Sequence, residues 1–206
     1  MMLTPMVMTV IGFAIGFAVA WRIRRHRGLE LFLAEARTDI VTGLKNRRAF
    51  DEELSRLFAQ RQRLGGHFSL MMIDIDGFKN LNDTHGHLSG DVVLRSVGHV
   101  LSTTLREMDI VYRYGGDEFV AICPGAKLQE AAVAAERVRQ AVADATVPLK
   151  RSFLQVTISL GVAEVTTAEI AESLIQRADD ALFAAKHAGR NGIHLHNGQT
   201  DGVPQK

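Results

Sequence analysis

Arg113-Tyr114-Gly115-Gly116-Asp117-Glu118-Phe119 is the stretch whose reading decides the fold. Two glycines separate the apolar run Ile110–Tyr112 from the run Phe119–Ile122, so both flanks read as short strands and the glycines as a tight hairpin turn. Asp117 and Glu118 follow at once. A carboxylate at a hairpin tip can meet a metal, and glycine lets a ligand approach the backbone. Alone, Gly-Gly-Asp is also an ordinary turn, so the functional reading depends on a second acidic pair.

That pair lies in Met71-Met72-Ile73-Asp74-Ile75-Asp76-Gly77-Phe78-Lys79. Phe68 to Ile73 is almost wholly apolar, as suits a strand buried on both faces. Asp74 falls at its C-terminal end, where α/β sheets place ligand sites. A calcium loop starting at Asp74 is excluded, because position six is Lys79 where glycine is needed and position twelve is His85 where glutamate is needed.

Four further segments take the same order: Asp39–Arg48, Asn82–Asp91, Ile158–Gly161 and Ala181–Asn191. Together the six motifs resemble the GGDEF family of diguanylate cyclases, over roughly residues 36 to 196. The resemblance implies condensation of two GTP into cyclic di-GMP with release of two pyrophosphates. It implies an α/β GGDEF-type sandwich, a central sheet flanked by helices and related to nucleotide cyclases and polymerase palms. Helices alternating with strands from residue 46 onward agree.

The implied roles follow motif by motif. Asp74 and Asp117, with the Ile75 carbonyl, resemble the ligands of Mg²⁺ or Mn²⁺. Asp117 also resembles the acceptor of the 3′-hydroxyl proton, and Glu118 shares either task. Lys79 resembles a transition-state stabiliser, a point charge beside the transferring phosphoryl group. Gly77 and Phe78 belong to the implied substrate-binding set, and His87 resembles a substrate-proximal residue. Asn82 and Asp91 resemble guanine readers: a carboxylate can accept from guanine N1–H and N2–H together, a donor pair adenine lacks. Lys186 and Arg190, four apart on an expected helix, resemble a grip on the terminal phosphates. Arg106 and Asp109, with five residues between Asp109 and Gly115, match an inhibitory product site, and Arg137 sits where a secondary inhibitory arginine is expected. The alternative function is a non-catalytic cyclic di-GMP receptor that uses only the Arg106/Asp109 site.

Composition narrows the rest. The 206 residues carry 24 basic and 23 acidic side chains, a net charge of +1, which gives nucleic-acid binding no support. A single cysteine, Cys123, excludes an intrachain disulfide. Residues 1–21 hold no charge and are followed by Arg22, Arg24, Arg25 and Arg27. This pattern predicts a transmembrane helix over 1–21 and a single-pass protein of the inner membrane with its body in the cytoplasm. Residues 22–37 then form a basic juxtamembrane segment and linker helix, 38–196 the catalytic domain, and 197–206 a disordered tail. Gly12 and Gly16 suggest that the membrane helix also pairs. The product has two equivalent 3′–5′ links, so a homodimer with facing half-sites is expected.

Overall fold

Strand β2 (Phe68–Ile75) is buried along its whole length, and the sheet grows outward from it. The computed structural model describes residues 37–149 and 153–198. Around β2 run β1 (Lys45–Asn46), β3 (Ile110–Gly115), β4 (Glu118–Pro124), β7 (Ile158–Glu164) and β8 (Ile193–His196), in the order β1-β3-β4-β2-β7-β8. The β3–β4, β4–β2 and β2–β7 pairs are antiparallel, and the two outer pairs are parallel. A small β5–β6 ladder (Val147–Pro148 and Phe153–Leu154) stands apart.

Successive strand residues face opposite sides, and each side has its own helices. Met71, Ile73 and Ile75 pack with α3 (His87–Thr104) and α4 (Leu128–Asp144). Phe68, Leu70 and Met72 pack with α1 (Arg47–Leu64) and α5 (Ala171–His187). Each apolar side chain taken from water contributes about 1.5–3 kcal/mol, so a strand in this position has to read as a continuous apolar run. The short α2 (Phe78–His85) links β2 to α3 and is bounded by Gly77 and Gly86, both at positive φ.

The α5 layer approaches unusually closely at one point. A Cβ on Gly161 would overlap Ala178 O and Leu182 N, so helix backbone rests directly on strand backbone. Arg177 anchors the start of the same helix through Glu169 (2.6 Å) and Glu164 O (2.7 Å). Asn46 caps α1 by accepting from Ala49 N–H (3.1 Å).

The membrane-spanning helix expected over residues 1–21 falls outside the described residues. Among the described residues no helix is long and apolar enough to cross a membrane. The longest, α1 and α3 at 18 residues each, bury one side and carry charges such as Arg48, Glu52, Asp91 and Arg95 on the other. The fold class is therefore corrected to the α/β sandwich alone, and the inner-membrane location and the membrane contact through residues 1–21 are withdrawn. Residues 1–36 lie outside the described residues, as do most of the linker expected over 22–37 and most of the tail over 197–206. The chain leaves the strand conformation at Gln155–Thr157, which separates β6 from β7.

The close contact at Gly161 yields a first prediction. Gly161→Ala should destabilise the protein by about 1–3 kcal/mol, because the new methyl must push α5 off the sheet. Urea denaturation measures this directly; wild-type stability would mean that α5 has room to spare.

Candidate active site

Asp74 ends the apolar part of β2, and the ladder register puts Glu118 of β4 directly opposite it. Both side chains lie on the face covered by α1 and α5, as do Met72 and Val120. Lys186, in the last turn of α5, places its ammonium 2.8 Å from Asp74 Oδ2. Burial pushes the Asp74 carboxyl above the usual aspartate range, Lys186 opposes that, and Asp117 and Asp76 add to it. Glu118 is raised for the same first reason, with Asp74 the next contributor. Concentrated negative charge at the end of an interior strand is costly, and it is compensated by a lysine from a different layer.

The hairpin turn carries the third acid. Gly115 ends β3, Gly116 takes a positive φ of 52°, and Asp117 precedes β4. The register slips between Arg113 and Gly115, so Tyr114 and Gly115 together oppose Glu118. Arg113 fixes this turn: its Nε and Nη2 donate to Gly116 O (3.1 and 2.8 Å), and its Nη1 donates to both oxygens of Asp39 (3.1 and 3.0 Å). Asp39 Oδ1 also accepts from Thr42 N–H (2.8 Å) and Thr42 Oγ1–H (2.7 Å). Ile75 N–H donates to Asp117 O (3.4 Å), which ties the turn to the end of β2. Asp39 and Thr42 of the Asp39–Arg48 motif thus serve the signature turn.

Among the described residues no three acidic, imidazole or thiol groups converge closely enough to hold a metal unaided. The donors present are nevertheless all hard oxygens, from Asp74, Asp117, Glu118 and the Ile75 carbonyl. A cationic ammonium already rests on one of them. That set fits a divalent cation that takes the remainder of its shell from phosphate and water.

Other expected residues lie nearby. Lys79 is exposed in the first turn of α2, and Asn82 follows one turn on. Asn82 Oδ1 is buried with no protein partner, and a Cβ on Gly90 would overlap it. His87 and Asp91 share the first turns of α3, His87 exposed and Asp91 half-buried. Gly77 and Phe78 start α2, with Phe78 packed in the core and Gly77 left-handed at φ 69°. Two cavities border the acidic cluster. One of about 500 Å³ includes Glu118, Arg47, Tyr114 and Asp179, and one of about 340 Å³ includes Asp76, Asn80 and Thr157. Neither is lined by Asn82 or Asp91.

Arg190 departs from expectation. Helix α5 ends at His187, and Gly189, Arg190 and Asn191 all have positive φ (118°, 64° and 44°). Lys186 and Arg190 therefore belong to a helix and the turn after it, not to one helical face. At the expected inhibitory site, Asp109 Oδ2 accepts from Arg106 N–H (3.1 Å), and Arg106 O accepts from Asp109 N–H (2.9 Å). Arg137 of α4 reaches Thr104 O (3.2 Å) just before this loop. Cys123 is buried, which pushes its thiol pKa up and leaves it a packing residue.

Sequence reasoning assigned no role to Asp76. Its Oδ2 accepts from Thr157 Oγ1–H (2.7 Å) and Asn191 N–H (3.0 Å), and its Oδ1 from Ser159 Oγ–H (2.7 Å).

The family model described as "Diguanylate cyclase, GGDEF domain" matches residues 36–192. The chain is 40% identical over 170 residues to diguanylate cyclase DgcP of Pseudomonas aeruginosa, covering 82% of this chain and 25% of that one. It is 44% identical over 172 residues to response regulator PleD of Caulobacter vibrioides, covering 82% and 38%. The chain thus spans well under half the length of either relative. Among solved structures, the coiled coil and GGDEF domain of DgcB from Caulobacter crescentus, in complex with c-di-GMP, matches with a TM-score of 0.75 and 35% identity, covering 91% of this chain and 98% of that one.

The Asp39 carboxyl gives a pH prediction. Burial pushes it up, but the Thr42 hydroxyl and amide and the Arg113 guanidinium outweigh that and hold it below the ordinary aspartate value. A depressed folded-state pKa contributes stability above the unfolded pKa, and the contribution is lost as pH falls through the folded one. Asp39→Asn should therefore be less stable than wild type at neutral pH, and the gap should close on acidification through that window. A gap in thermal midpoint that stays constant with pH would show that the charged form is not what the turn uses.

Proposed function

The chain belongs to the GGDEF family of diguanylate cyclases, and from that premise we propose that it condenses two GTP into cyclic di-GMP as a homodimer, releasing two pyrophosphates. The observation that carries this reading is the meeting of Asp74, Glu118 and Lys186 at the end of β2, beside the clamped Asp117 turn. One site holding one GTP cannot supply both nucleophile and electrophile for two equivalent links. Two copies facing across a twofold axis can, with each 3′-hydroxyl directed at the other nucleotide's α-phosphorus.

Each residue has a task in this scheme. Asp74, Asp117 and the Ile75 carbonyl, with Glu118 beside them, would hold Mg²⁺ or Mn²⁺. Such an ion, when bound, neutralises triphosphate oxygens so that an oxygen nucleophile can approach. Asp117, at a turn tip, accepts the 3′-hydroxyl proton. Lys79 offers a mobile positive charge to the transferring group. Lys186 exchanges Asp74 for phosphate oxygens, and Arg190 joins it from the following turn. Asn82 and Asp91, carried by α2 and α3 on either side of the Gly86 turn, read guanine, with His87 close by. The unpartnered Asn82 Oδ1 supports that assignment, because a buried amide oxygen without a partner is costly. Arg106 and Asp109, with Arg137 beside them, bind accumulated product and slow the enzyme.

Incubating the 206-residue chain with GTP and Mg²⁺ and separating the nucleotides tests the reading. Wild type should form cyclic di-GMP. Asp117→Ala and Asp74→Asn should each reduce the rate by at least about 100-fold while retaining the fold. A chain that binds cyclic di-GMP and makes none would instead be a receptor.

Feedback is tested separately by adding product at the start of the reaction. Wild-type initial rates should fall with added cyclic di-GMP, and Arg106→Ala rates should not. Equal insensitivity of both proteins would leave the 106–109 loop a local turn only.

A further inference from the structure

Three consecutive residues at positive φ, two of them not glycine, make the Gly189–Asn191 turn an expensive conformation. Left-handed backbone at a residue bearing a Cβ persists only where the surroundings determine it. The contacts that do so here come from three separate elements. Ala185 O of α5 accepts from Arg190 N–H (3.2 Å). Asp76, two residues beyond Asp74, accepts from Asn191 N–H (3.0 Å). Arg139 of α4 donates from Nη1 to Asn191 Oδ1 (2.7 Å) and, more weakly, to Asn191 O (3.5 Å). Arg139 is itself held by Glu136 (2.7 and 2.9 Å), with its side chain only 15% exposed.

Asp76 stands beside the acidic cluster yet is already engaged. Three protein donors fill most of the roughly four lone-pair positions of its carboxylate. Among the described residues its neighbour Asp74 pairs with Lys186. Asp76 thus has little capacity left for a cation, and its bonds run to β7 through Thr157 and Ser159 and to the turn through Asn191. Between them, Asp76 and Arg139 hold the backbone and the side chain of Asn191.

We infer that Asp76 and Arg139 are positioning residues that fix the Gly189–Asn191 turn and thereby aim Arg190 at the terminal phosphates of the nucleotide. This role rests on the substrate reading given above. Neither residue touches the nucleotide; each acts through Asn191. The arrangement also joins the acid-bearing strand end to the phosphate-gripping turn, because Asp74 and Asp76 share one strand terminus.

The test uses the whole chain and 3′-deoxyguanosine triphosphate, which carries the full triphosphate but lacks the nucleophile. Arg190→Ala should weaken its binding by about tenfold, and Arg139→Ala and Asp76→Ala should each do the same. The double variant Arg139→Ala/Arg190→Ala should bind no more weakly than Arg190→Ala alone, because the first change acts only through the second residue. Asp76→Asn retains an acceptor oxygen for Asn191 N–H, and the Ser159 hydroxyl can turn to accept from the new amide, so binding should recover. With GTP, Arg139→Ala should raise KM about tenfold and leave kcat at saturation within about twofold. Additive losses in the double variant, or a fall in kcat with unchanged affinity, would overturn the positioning role while leaving the substrate reading intact. Wild-type protein that does not bind the analogue would overturn the substrate reading, and this role with it. Arg139 is only partly buried, so its variants keep the question open to decision even if Asp76→Ala fails to fold.

Discussion

A carboxylate at the end of an interior strand has to be compensated, and Asp74 imposes that requirement on its surroundings. Burial raises its pKa, and Asp117, Asp76 and the opposing Glu118 add negative charge to the same region. The ammonium paired with Asp74 among the described residues comes from α5, a helix held against the sheet by backbone contact at Gly161 and by the bond from Arg177 to Glu164 O at the end of β7. Site and scaffold are therefore not separable. The features that bring α5 down onto β7 are those that bring Lys186 to Asp74.

The two faces of the sheet divide the labour. Even-numbered residues of β2 face α1 and α5, and that side ends in the acidic cluster. Odd-numbered residues face α3 and α4, whose outer parts carry Asp91 and the Arg106–Arg137 region. Only α2, bounded by two left-handed glycines, passes from the end of β2 to the second layer. Lys79 and Asn82 lie on that passage, so a nucleotide laid along it would reach both faces.

Much of this was legible in the chain. The apolar run before Asp74, the double glycine before Asp117 and the amphipathic helices gave the central sheet and its layers, because burial and turn chemistry act locally and leave periodic marks. The ladder pairing of Asp74 with Glu118 was not legible, because neither strand by itself specifies its neighbour or its register. Other features left no such mark. Counting Lys186 and Arg190 as one helical face failed because Gly189 ends α5, and the Ala188-Gly189 step was the available signal for a helix stop. The α2 helix, eight residues between glycines, is too short to show a period. The two-residue strands β5 and β6 are fixed only by each other. Asp76 was unreadable for a different reason: in Asp74-Ile75-Asp76, spacing cannot tell an acid left open for a cation from one spent on Thr157, Ser159 and Asn191.

Gly161 works as a length standard for the site. Side-chain contacts between layers have rotamers and flexible ends that absorb small misfits, whereas carbonyl and amide atoms seated on a Cα have none. The separation of α5 from the sheet is thus set by atomic radii rather than by the fit of interchangeable side chains. The core around this point can drift in sequence through compensating volume changes, because the gauge they must match does not move. The 2.8 Å pairing of Lys186 with Asp74 inherits that tolerance, and with it the calibration of everything built on the end of β2.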